Sequence, residues 1–267
     1  MVTAGTPEEG IAVTRRYHDA RFEQMKIYDY VAPDVVRAIA TEAHRLGMTV
    51  TGHVPRGMTA QSAVEAGFDQ LAHMRLNGQA GSDQSNAQIA FFKAHGTVMD
   101  PTQSWNELGG HASATPIESF LPGVTRLPLP LARMFASMSG SSNAPATIHA
   151  RLLGSLHLLK DAVAAGVPVV AGTDKGVPGF SLQREIELYV EGGMTPLQAI
   201  QAATIVPARV MSMDRETGTV EPGKRADLVV LTGNPLERIE NIRTARWVVT
   251  AGRLYECGGL WRAAGYQ

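Results

Sequence analysis

One cysteine, Cys257, stands among 267 residues. That excludes an internal disulfide and a cysteine-based zinc cluster. Charge of either sign is also without excess: 24 lysines and arginines face 25 aspartates and glutamates, for a net charge of -1. Nothing in that balance favours nucleic acid or an anionic membrane as a partner. Uninterrupted apolar runs stop well short of the roughly 18 residues that a bilayer-spanning helix needs. The first nine residues, Met1 to Glu9, lack both the basic start and the apolar core of a signal peptide, so the cytoplasm is the default expectation. What remains is a globular composition, 44% hydrophobic and 18% charged, with ample apolar material for a core.

Three short β-branched or apolar runs stand out, each ending on a polar residue. Met48-Thr49-Val50-Thr51-Gly52 leads to His53, and Val54-Pro55-Arg56-Gly57 stops the strand at once. Asp69-Gln70-Leu71-Ala72 leads to His73, and Val167 to Thr173 leads to Asp174. Helical patterns separate these runs, so each reads as one step of a βα alternation, the signature of an α/β fold with a parallel sheet. Such folds place their chemistry at the C-terminal ends of the strands. Two imidazoles and a carboxylate at equivalent strand ends suggest a metal site, since neutral imidazole nitrogen suits zinc and similar divalent ions.

Element boundaries follow from local signals. Thr6-Pro7-Glu8-Glu9 predicts a helix start, with Thr at the cap and Pro at the first position. Phe22 to Tyr28 reads as a strand carrying Lys26. A helix opens at Pro33 and closes at Gly47, with Val35, Val36, Ile39, Ala43 and Leu46 on one face. Shorter helices are expected over 59–66 and 85–95, and a strand over 97–102 with Pro101 at its end. From Gln103 to Pro145 the pattern is lost, and the length of that stretch predicts a lid or a disordered segment. Helices are expected again over 147–165, 182–191, 195–203 and 206–211. After residue 212 strands follow without helices, with a hairpin around Ala251-Gly252, so 1–212 and 213–267 are expected as separate parts.

Four segments together resemble the C-terminal part of the amidohydrolase superfamily, in particular its imidazolonepropionase-like and prolidase-like metal-dependent hydrolases. Met25-Lys26-Ile27-Tyr28-Asp29 is similar to the strand bearing a carboxylated lysine. Val50-Thr51-Gly52-His53-Val54-Pro55 and Gln70-Leu71-Ala72-His73 are similar to the two histidine strands. Ala171-Gly172-Thr173-Asp174 is similar to the last barrel strand, and Gly218 to Leu231 to the return into the family's β-sandwich.

The resemblance implies about the last five strands of a TIM-type (β/α)8 barrel and a small C-terminal β-sandwich portion. It implies hydrolysis of an amide-like C–N bond, in a cyclic amide or a dipeptide, by metal-activated water. His53, His73 and Asp174 would hold one divalent ion, zinc foremost, and carboxylated Lys26 would bridge to a second. Asp174 would also serve as general base. Tyr28 and Arg56, close in sequence to the strand ends, are candidate substrate contacts, while His111, His149 and His157 are assigned to the lid and helix rather than the metal, with packing the default for His157. The family's opening His-x-His occurs nowhere in these 267 residues. The chain is therefore expected to be a truncated and impaired enzyme, with a homo-oligomer or an N-terminal segment covering its open strand edge. The alternative is a catalytically inactive remnant kept as a binding or assembly module.

Overall fold

Helices and strands begin where the local chemistry demands. The computed structural model describes residues 2–73, 76–138, 140–174 and 176–266. Their contacts divide into two compact units, Met1–Pro101 with Asp161–Val169, and Thr102–Lys160 with Val170–Gln267. No helix among the described residues is long and apolar enough to cross a membrane.

The first unit alternates helix and strand. Helix α1 (Pro7–Asp19) starts as expected, the Thr6 hydroxyl accepting from the Glu9 N–H and Pro7 filling the first position. Strand β1 (Gln24–Ile27) is followed by α2 (Pro33–Arg45), β2 (Thr49–Gly52), α3 (Ala60–Glu65), β3 (Gln70–Ala72), α4 (Asp83–Ala94) and β4 (Val98–Asp100). The strands form one parallel sheet in the order β1-β2-β3-β4, because each helix carries the chain back to start the next strand from the same end. Met25, Ile27, Val50, Leu71 and Met99 are buried on the strands, and Val35, Val36, Ile39 and Ala43 on α2, so the apolar period of that helix is its packed face. The run at 167–174 departs from expectation. Only Val169 joins the sheet, in a single bridge to Met99. Pro168 has no N–H for a ladder, and it contributes its carbonyl alone, to Met99.

Gly52 sets the spacing at the end of β2. Its φ is +143°, and a Cβ there would lie 1.9 Å from the Ile27 carbonyl oxygen. Only glycine allows that approach, and the next residue, His53, donates its N–H to the same oxygen at 3.1 Å.

The second unit corrects the expectation of disorder over 103–145. That stretch folds into α5 (Gln103–Gly110), two 3-10 turns (Ile117–Ser119 and Pro122–Arg126) and α6 (Leu129–Ala136). Leu108, Leu121, Leu127 and Phe135 close around a buried cluster with Val177. Its apolar residues serve several short helices and turns, so no single period runs through them and the sequence reads as irregular. Helices α7 (Pro145–Ala165, its last residues in the first unit), α8 (Ser181–Glu191), α9 (Pro196–Ala202) and α10 (Ile205–Val210) follow. Then β5 (Leu228–Leu231), β6 (Ala245–Thr250) and β7 (Arg253–Glu256) form an antiparallel sheet, and α11 (Cys257–Ala263) ends the described chain. The expected hairpin joins β6 to β7, with Ala251 (φ 48°) and Gly252 (φ 73°) both left-handed as a two-residue turn requires.

A carboxyl far along the chain caps α5. Thr102, left-handed at φ 46°, makes no side-chain cap. Glu185 of α8 accepts instead from the N–H groups of Gln103 (2.8 Å) and Ser104 (2.5 Å), satisfying two donors that the helix leaves open. Burial nonetheless outweighs these bonds and pushes the Glu185 carboxyl up from 4.5 to about 7. Beside it, Arg184 pairs with both oxygens of Glu107 at 2.7 and 2.6 Å, and Glu187 pairs with Arg243.

Two outcomes are expected. Gly52→Ala should cost about 3 kcal/mol or more in urea unfolding, through backbone overlap and positive φ together; a loss under 1 kcal/mol would contradict the close approach. A raised carboxyl keeps more protons on the folded than on the unfolded chain between pH 4.5 and about 7, so its contribution to stability falls as pH rises through that window. Wild type should lose about 3 kcal/mol from this group between pH 4.5 and 8, and Glu185→Gln should flatten that slope in denaturant titrations across the window.

Candidate functional site

The parallel sheet brings four of the six sequence-selected residues into one neighbourhood. Lys26 lies on β1 beside Thr51 of β2, exposed, with its Nζ 5.6 Å from the centre of the Tyr28 ring. Tyr28 continues the chain beyond β1, and its ring lies 4.2 Å from the His53 imidazole, tilted by 30°. His53 in turn meets His73 edge to face, the ring centres 4.6 Å apart and the planes at 89°. His53 follows β2 and His73 follows β3, and these strands are neighbours. That adjacency is why two histidines twenty positions apart in sequence come into contact.

The two nitrogens of His53 have different surroundings. Nδ1 lies 2.7 Å from Oδ1 of Asp29. An ionised carboxylate only accepts, so the ring nitrogen carries the hydrogen. Nε2 is buried and has no hydrogen-bond partner among the described residues. A buried ring nitrogen without a partner is costly, and it is the form in which imidazole binds a divalent cation. By donor chemistry the pair His53 and His73 fits such an ion. Among the described residues, however, no group of three or more His, Cys, Asp or Glu side chains is placed to hold a metal.

Backbone conformation marks two of the same residues. His73 has φ 57° and Asp174 φ 41°, in the left-handed region that costs a non-glycine residue on the order of 1–3 kcal/mol and gathers at functional sites. His73 is held there by its N–H, donated to the Asp100 carbonyl at 2.7 Å. Asp174 belongs to the second unit and stands in a turn rather than at the end of a strand. Arg56 is exposed and packs over Tyr30, its guanidinium 4.5 Å from the ring centre. Its N–H donates to the Asp29 carbonyl at 2.8 Å, tying together the loops that follow β1 and β2.

Asp29 escaped the reading of the sequence, although it closes the segment Met25 to Asp29. Its position became meaningful only with the in-register pairing of β1 and β2, which sets the loops after both strands side by side. Glu185 escaped as well, because it sits in a Glu- and Arg-rich helix that reads as a solvated face. In the second unit a cavity of about 320 Å³ is lined by His111, Phe120, His149 and Leu152 among others. The buried His111 donates Nδ1–H to the Leu108 carbonyl at 2.7 Å, in keeping with a packing role.

Comparison with known proteins gives the fold its relatives. The ochratoxinase of Aspergillus niger is 28% identical over 236 residues, 86% of this chain and 42% of its own length. An imidazolonepropionase from Geobacillus kaustophilus is 42% identical over 71 residues, 25% of this chain and 16% of its own length. A crystal structure of a Xaa-Pro dipeptidase with methionine bound in its active site superposes with a TM-score of 0.64 at 25% identity, over 96% of this chain and 59% of that one. The chain thus spans 42% of the ochratoxinase and 59% of the dipeptidase chain, less than two thirds of either. The profile of the Amidohydrolase family matches residues 12–251, which contain every residue of the site, and the chain belongs to that family.

Proposed function

We propose that this chain carries one metal position of a hydrolase that cleaves amide-like C–N bonds, in a cyclic amide or a dipeptide. The observation that carries the reading is the buried, unpartnered Nε2 of His53 beside the ring of His73. Family membership supports the reaction class, and a relative described as a Xaa-Pro dipeptidase supports a dipeptide as substrate.

In this reading His53 and His73 would hold a divalent ion, zinc foremost, and Asp174 is proposed from the sequence as its third ligand. Such an ion, when bound, lowers the pKa of a coordinated water and polarises the scissile carbonyl. The chain's own residues supply the rest. Asp174 takes a proton on its carboxylate and returns it to the leaving nitrogen. Tyr28, 39% exposed and in tilted ring contact with His53, would offer its free surface to substrate. Arg56 presents its cation nearby in sequence, ordered over Tyr30. Lys26, once carboxylated, would offer an oxygen ligand to a second ion, whose own two histidines do not occur in these 267 residues; its ammonium form would repel one.

The same reading extends to architecture. The parallel strands β1 to β4 are part of a TIM-type barrel, and β5 to β7 part of a β-sandwich. Exposed Val229, Val230 and Leu254 on the antiparallel sheet support a missing cover there. A second chain or segment pairing along the outer edge of β1 would answer its open hydrogen-bonding side.

A second reading has its own support. No His-x-His occurs in the sequence, and three-ligand clusters are absent among the described residues. Both favour a non-catalytic module that binds rather than hydrolyses.

Elemental analysis after dialysis against zinc, beside turnover on panels of dipeptides, cyclic amides and lactones, separates the two. The hydrolase reading expects one weakly held ion, lost in His53→Ala and in His73→Ala, and turnover well below that of a two-metal enzyme. No bound ion in wild type would sink it, and two tightly held ions with robust turnover would refute the single position. Sedimentation should show dimers or larger species, and a monodisperse monomer would remove the edge-pairing proposal.

A further inference from the structure

We propose that Asp29 is a positioning residue that fixes the tautomer and orientation of His53. The inference rests on the reading of His53 as a metal ligand and adds a residue with no assigned role. Asp29 accepts from His53 Nδ1 at 2.7 Å. A neutral imidazole carries one hydrogen, so holding it on Nδ1 leaves the lone pair on Nε2, the buried nitrogen with no partner. Without the carboxylate, the hydrogen is free to sit on Nε2 and block the ligating position. A carboxylate behind the ring also makes the opposite nitrogen a stronger donor.

Asp29 is itself held. Its carbonyl accepts the Arg56 N–H at 2.8 Å, which anchors the residue between the loops after β1 and β2. The Tyr28 ring lies 4.2 Å from the imidazole, tilted by 30°, so His53 is restrained by ring contact as well as by the carboxylate. One short segment, Tyr28-Asp29, thus provides both restraints.

The test uses the full chain and reads the metal-free ring as well as binding. Long-range proton–nitrogen NMR distinguishes the two tautomers, with the His53 signals assigned by their loss in His53→Gln. Wild type should show the Nδ1–H form, and Asp29→Ala should move His53 towards Nε2–H. Zinc affinity, measured by competition with a chromophoric chelator, should fall about 10- to 100-fold in Asp29→Ala. Asp29→Asn, which keeps an acceptor, should recover part of it. Unfolding midpoints of the variants separate positioning from a loss of fold. An Nε2–H ring in wild type, or a tautomer unmoved by Asp29→Ala, would overturn the assignment. So would unchanged zinc affinity in Asp29→Ala where His53→Ala loses it. If His53→Ala binds zinc as wild type does, the metal reading fails instead, and the NMR result still decides whether Asp29 governs the ring.

Discussion

Parallel pairing of β1 with β2, closed by Gly52 against the Ile27 carbonyl, governs the first unit. Because no side chain separates the two backbones at that point, both strands end at the same level, and the residues that follow, Tyr28 and Asp29 on one side and His53 on the other, are forced together. The His53 N–H bonds to the carbonyl that crowds Gly52, so the imidazole leaves the sheet from a fixed point. β3 extends the register by one strand and adds His73. The site is thus a product of strand register before it is a product of its side chains, and a one-residue slip would send each of them to the opposite face.

Much of this was legible in the sequence, for physical reasons that differ by element. Capping gave helix starts: Thr6-Pro7 and Thr195-Pro196 each carry their chemistry within four residues, and both caps form. His53 was legible at a strand end because Pro55 and Gly57 stop the strand beside it. The hairpin at Ala251-Gly252 follows from turn geometry that only a few residue pairs tolerate.

What escaped was whatever depends on partners distant in the chain. Residues 103–145 look irregular because their order comes from a cluster that includes Val177, not from a period of their own. Val167 to Asp174 has the composition of a strand, yet the missing N–H of Pro168 restricts it to one bridge, and the Ala171 N–H turns to the carbonyl of Ala202. Asp29 and Glu185 carry ordinary carboxylates, and nothing local distinguishes the one behind an imidazole or the one buried at a helix start from their solvated counterparts.

The cap of α5 has a consequence for how the protein is made. Glu185 lies 81 residues beyond Ser104, so the ribosome releases the start of this helix long before its cap exists. An eight-residue helix is below the length that holds in water by itself, and closing so long a loop carries an entropic cost that the contact must overcome. Until α8 emerges, residues 103–110 lack their cap, and until Val177 emerges the cluster around Leu108 is incomplete as well. The nascent chain therefore passes through an interval in which a chaperone would find an apolar segment open to it.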